Sequence, residues 1–230
     1  MNINFFDTVR KSEVTEALSK IIEGGYPRRE LFLVTMLASG IATVGLIYDN
    51  VVLIIGSMIV APLLLPLLSL GVGIAVFDFK IVRSSAQSIL IGSVASILFV
   101  IPIALLLGGE FYRADDSYYS TIYPTVESSF VAIIAGIIAA FAISKEKLND
   151  SMAGVAVAVA LMPPLASIGI AISNLDGATM LDTGAQFLLN VALIALASAA
   201  VFRYLDFDQS ITHIKKKVLK EKKAKKKEEK

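Results

Sequence analysis

From Leu31 to Tyr204 the chain is a succession of apolar runs, each near the ~20 residues that a helix needs to cross a hydrocarbon core, parted by short polar stretches. Six runs stand out, at about 31–48, 51–77, 84–108, 128–144, 151–174 and 184–204. Their interiors hold no Asp, Glu, Lys, Arg or His. Hydrocarbon offers no partner to an open backbone group, so segments of this kind must be helices that close their own hydrogen bonds. With 56% of residues hydrophobic, an ordinary soluble surface is excluded. The expected fold is an all-α integral membrane protein with six transmembrane helices.

The flanks agree. Residues 1–30 form an N-terminal segment in which Val14, Ala17, Leu18, Ile21 and Ile22 recur at helical spacing before Gly24-Gly25, the pattern of an amphipathic interfacial helix. The segment has acidic residues and no apolar run ending in a small-residue cleavage site, so it does not read as a signal peptide. Arg28, Arg29, Lys80, Arg83, Lys145, Lys147, Arg203 and the tail from 205 to 230 fall on one side of the spans, and only Arg113 on the other. Since cytoplasmic loops retain positive charge, both termini are expected in the cytoplasm of a multi-pass cell-membrane protein. The extracytoplasmic loop, 109–127, mixes acids with tyrosines that suit a membrane interface.

Two of the runs contain prolines, the residue that most reliably breaks a helix. "GSMIVAPLLLPLLSLGVGIAVFD" (56–78) laid on "GVAVAVALMPPLASIGIAISNLD" (154–176) at an offset of 98 gives eight identities in 23 positions. They include Pro66 with Pro164, Ser69 with Ser167, Gly71 with Gly169 and Asp78 with Asp176. One residue out of that register, "AQSILIG" (86–92) resembles "AQFLLNV" (185–191) and sets Gln87 beside Gln186. A duplication is implied, with 31–108 and 128–204 as its halves. Each half holds three spans, an odd number, so the halves are inverted in the membrane. Inverted three-helix repeats whose second and fifth helices are proline-broken at matching depth are the pattern by which transporters build a midplane site.

The proline-centred motifs of 56–78 and 152–172, followed by "FLLNVALIALASAAVF", resemble those of a prokaryotic family of hydrophobic membrane proteins called domain of unknown function 389. The likeness covers about 30–205 and implies a polytopic membrane protein with no established substrate. It transfers no site residue.

With no charge at depth, a site must be built from hydroxyls, amides and backbone. Breaks at the prolines would free N–H groups near Pro66 and Pro164, with Ser69 and Ser167 three residues on. Asn190 is the carboxamide well inside a span. The substrate-binding set is therefore Ser57, Pro62, Pro66, Ser69, Pro163, Pro164, Ser167 and Asn190. Such groups suit a small anion or neutral polar molecule, although carbonyls freed at the same depth could hold a cation. The functional expectation is a transporter or channel for a small solute; the alternative is a non-transporting membrane scaffold or sensor.

Enzyme chemistry is not expected. There is no Cys, the single His213 lies in the tail, and no metal ligand set or cofactor motif can be marked. The small-residue runs at 135–142, 153–160 and 192–200 permit close helix packing and a homo-oligomer. The tail "KKKVLKEKKAKKKEEK" suits anionic lipid headgroups and lacks the arginine or aromatic readers of a nucleic-acid binder.

Overall fold

The computed structural model describes residues 11–107, 126–144 and 150–205, and all of the regular structure among them is helical. The helices are α1 (Lys11–Gly24), α2 (Arg29–Ile47), α3 (Val51–Val60), α4 (Leu64–Ala75), α5 (Phe79–Leu107), α6 (Val126–Ser144), α7 (Asp150–Ser173) and α8 (Gly177–Tyr204). The loop region 108–125, residues 145–149 and the basic tail from 206 lie outside the described residues.

Five helices, α2, α5, α6, α7 and α8, are long and apolar enough to cross a membrane, and α3 with α4 would make a sixth span if the pair is counted as one. Their outer faces are apolar: Leu33 and Leu37 on α2, Leu90 and Leu98 on α5, Ile134 and Ile138 on α6, and Leu188 and Leu196 on α8 are exposed. A helical bundle that is apolar outside as well as inside is a multi-pass membrane protein. At its centre runs α7, whose apolar window is 78% buried inside the protein.

The two proline segments behave differently. α3 ends at Val60 and α4 starts at Leu64, bent from it by 57°. Ala61, with φ −67° and ψ 118°, has left the helical region. That is the conformation the ring of Pro62 favours in the residue before it. Pro66 falls in the first turn of α4, where its missing N–H would have had no intrahelical acceptor anyway. In the fifth run the expectation of a matching break is corrected. α7 passes through Pro163 and Pro164 as one helix. At the 98-residue offset Ala160 stands where Pro62 does, so the segment lacks the proline whose neighbour turns extended.

Beyond the prolines, the offset extends to individual hydrogen bonds. After α4, the N–H groups of Val76, Phe77 and Asp78 donate to the carbonyls of Val72, Ile74 and Gly73 at 3.0, 3.2 and 2.9 Å. After α7, Asn174, Leu175 and Asp176 donate to Ile170, Ile172 and Ala171 at 3.1, 3.1 and 3.0 Å. Phe77 and Leu175 both take a left-handed backbone, φ 53° and 56°. That conformation costs a side-chain-bearing residue about 1 to 2 kcal/mol. Asp78 and Asp176 then accept from N–H groups at the head of the next helix, Lys80 at 2.9 Å and Thr179 at 3.1 Å.

Packing is reciprocal at the same offset. A methyl on Gly71 of α4 would run into Ser198 Oγ and lie 3.0 Å from the Ala195 carbonyl oxygen on α8. A methyl on Gly169 of α7 would lie 2.5 Å from Val100 and 3.4 Å from the Ile97 carbonyl oxygen on α5. Residues 97 and 100 are 195 and 198 less 98. With the turns at 72–82 and 170–180, these contacts bracket the stretch between, so the register there is 98 throughout. Gln186 thus corresponds to Ser88 and not to Gln87.

α1 keeps its amphipathic character. Leu18 and Ile21 are fully buried in one cluster with Leu64 and Leu67 of α4, and Gly24 abuts Leu65.

Candidate functional site

The proline segments and their neighbours make two local arrangements. In the first, Pro62 borders a cleft of about 350 Å³ whose other lining residues are Gly24, Arg28, Glu30, Leu31 and Val34. The end of α1 and the start of α2 therefore lie level with the break in the second run. Arg28 donates from Nη2 to the Glu23 carbonyl, which uses one of the five donors of its guanidinium. Behind the cleft, Ser88 Oγ donates to the Gly25 carbonyl at 2.7 Å and Ser85 Oγ to Ser69 Oγ at 2.8 Å. A methyl on Gly25 would collide with Ser69, so the bare Gly25 backbone is what lets α1 end against this hydroxyl pair.

The second arrangement is a chain of side-chain amides. A proline at 164 has no N–H to give the carbonyl four residues back, at Ala160. Asn190 of α8 supplies the missing donor, with Nδ2 at 2.7 Å from the Ala160 oxygen. Asn190 Oδ1 in turn accepts from Gln186 Nε2 at 2.7 Å, and Gln186 also donates to Ser128 Oγ on α6. Both amides are buried, at 1% and 3% exposure. An unbonded carbonyl in this position would cost about 1 to 3 kcal/mol. The side-chain donor removes that penalty and helps α7 stay a helix across two prolines.

The eight residues expected to bind solute thus fall into separate places. Pro62 lines the cleft. Ser57 is buried and donates to the Ile54 carbonyl at 2.6 Å. Pro66 is buried in the first turn of α4, and Ser69 lies a turn deeper, bonded to Ser85 and pressed on Gly25. Pro163 and Pro164 lie within α7. Ser167 is fully buried, and its Oγ has no hydrogen-bond partner among the described residues. Asn190 has both ends of its amide engaged by protein.

A family model, Domain of unknown function (DUF389), matches residues 58–196. The chain belongs to the DUF389 family. It is also 30% identical over 176 residues to the uncharacterized protein MJ0678 of Methanocaldococcus jannaschii, a match that covers 76% of this chain and 53% of that protein. The chain therefore spans about half the length of the curated relative it matches. No solved structure matches it.

The DUF389 region contains the break, the α7 prolines, Gln186 and Asn190, but the cleft's other wall, Gly24 to Val34, precedes it. Those wall residues are what the sequence reading missed. Arg28 and Glu30 stand just before an apolar run and so look like rim charges. The available signal was Gly24-Gly25, which permits a close approach of backbone to helix as well as a helix end.

Proposed function

We propose that this DUF389 protein is a transporter or channel for a small anion or neutral polar molecule, built from two inverted three-helix halves with both termini cytoplasmic. One observation carries the reading: turns, glycine contacts and a shared proline recur at a constant offset of 98, while the proline elements themselves take different conformations, one bent by 57° and one continuous. Three spans per half make the halves run in opposite senses. Two like elements in unlike states are what relative motion of inverted halves requires. Arg28, Arg29, Lys80, Arg83 and Arg203 fall on one side in this arrangement, in keeping with the orientation.

The test is solute flux in sealed liposomes holding the purified protein, scored for small anions and neutral polar solutes against protein-free vesicles. Faster entry of at least one solute class is expected. Permeability equal to that of empty vesicles across the panel ends the transport reading and leaves the scaffold.

A further inference from the structure

The 98-residue register sets the cleft and the amide chain against each other. Ala160, whose carbonyl is bonded by Asn190, corresponds to Pro62, which lines the cleft. Asn190 corresponds to Gly92, and Gln186 to Ser88. In the second half Asn190 reaches the proline segment, and Gln186 donates to Asn190 from behind. In the first half there is no side chain at 92, and Ser88 is turned to the Gly25 carbonyl. At this register the cleft beside Pro62 is the counterpart of the place beside Ala160 that Asn190 fills.

We propose that this cleft binds a small zwitterion of amino-acid size. The proposal rests on the transport reading and names the solute class. Two features select the class. Glu30 and Arg28 both line the cleft, and a carboxylate beside a guanidinium matches a solute bearing both charges better than one bearing either. The remaining lining, Leu31, Val34, Pro62 and Gly24, is apolar and suits a short side chain. A volume of about 350 Å³ is at the small end for ligand pockets.

The experiment is equilibrium binding of radiolabelled glycine and alanine to the full-length protein in nanodiscs, with ethylamine and propionate as competitors that each keep one charge. Saturable binding at millimolar concentration or below is expected. Each single-charge competitor should be weaker by about tenfold or more, and Glu30→Gln and Arg28→Gln should each weaken binding by a similar factor. Gly92→Asn is the sharper variant. A methyl at 92 would make an ordinary 3.6 Å contact with Phe32, so the position accepts a side chain, and the added amide should occupy the cleft and abolish binding.

No saturable binding of either amino acid overturns the proposal, as does binding unchanged in a folded Gly92→Asn protein. Equal competition by ethylamine or propionate overturns the zwitterion class. Should Gly92→Asn fail to fold, the two exposed side chains decide: binding unchanged in both Glu30→Gln and Arg28→Gln overturns the site. Flux separates this from the parent reading. Binding that responds to these variants without any liposome flux leaves the site and ends transport, whereas flux untouched by all three variants ends the site and leaves transport.

Discussion

α3–α4 and α7 match at an offset of 98 residues and share a proline, yet one is bent by 57° and the other runs unbroken. The difference shows that counting prolines in a membrane helix is a poor guide to whether it breaks. What decides is where each ring falls and whether another helix supplies the hydrogen bond it removes. Pro62 drives Ala61 out of the helical region, so the next helix must begin afresh at Leu64. Pro164 costs α7 one bond, which Asn190 restores from α8.

Removing that support is the strongest way to break the comparison. Asn190→Leu is expected to leave two buried groups short of a partner, the Ala160 carbonyl and one N–H of Gln186, at about 1 to 3 kcal/mol each. Denaturation of the variant in detergent reads the loss. Spin labels at Val155 and Ser173, about 27 Å apart along a straight helix, read whether α7 then bends. Unaltered stability with an unaltered distance would mean that the prolines in α7 need no outside donor.

The architecture was largely legible in the sequence because its causes are local or periodic. The apolar runs and the matched Gly71 and Gly169 are visible in the chain, and the glycines do pack as partners at the 98-residue offset. The site was less legible. Ser69 looked available to solute, but its neighbours Gly25 and Ser85 come from 44 residues before and 16 after, and spacing on one helix does not reveal them. The continuity of α7 was hidden for the same reason: the donor that permits it lies 30 residues away on α8. The likeness of 86–92 to 185–191 runs one residue out of the 98-residue register and sets Asn190 on Ile91, whereas the register set by the packing sets it on Gly92.

The glycine pair gives the next test. Valine at 71 or at 169 should each destabilise by about 1 to 3 kcal/mol, since both positions meet atoms of a facing helix at less than contact distance. Gly71→Val should be the worse of the two, because the Ala195 carbonyl oxygen at 3.0 Å is backbone and Ile97's, at 3.4 Å, leaves more room. Thermal unfolding of the two proteins side by side checks the order. One tolerated and one severe substitution would mean that the halves do not pack reciprocally.

A smaller effect isolates Pro62. With alanine there, the constraint on residue 61 is lifted, and labels at Ile55 and Ile74 should separate by about 3 Å as two rods of ~14 Å straighten from 57°. Pro66→Ala should move them little, since a first-turn residue needs no intrahelical acceptor for its N–H. If the Pro66 variant straightens the pair and the Pro62 variant does not, the cause of the break has been assigned to the wrong ring.

The smallest expected effect lies in the matched turns, outside the spans. Asp176 Oδ2 accepts from the Thr179 hydroxyl at 2.6 Å and Oδ1 from the Thr179 N–H at 3.1 Å. The side-chain bond from Thr179 is the larger cause, and with the backbone bonds it holds the carboxyl below the usual carboxylate range despite partial desolvation. A carboxylate whose folded pKa is depressed stabilises the protein above its unfolded value, and that contribution disappears as pH falls through the folded one. Asp176→Ala should therefore cost about 1 kcal/mol at neutral pH. The gap from the parent protein should close in acid, below the ordinary aspartate range. Asp176→Asn keeps an oxygen for the Thr179 N–H and should show a smaller loss with no such pH dependence. Unfolding midpoints of the three proteins from neutral to acid pH decide the matter: a gap for Asp176→Ala that persists undiminished at low pH would assign the turn's stability to packing and leave the charge no part in it.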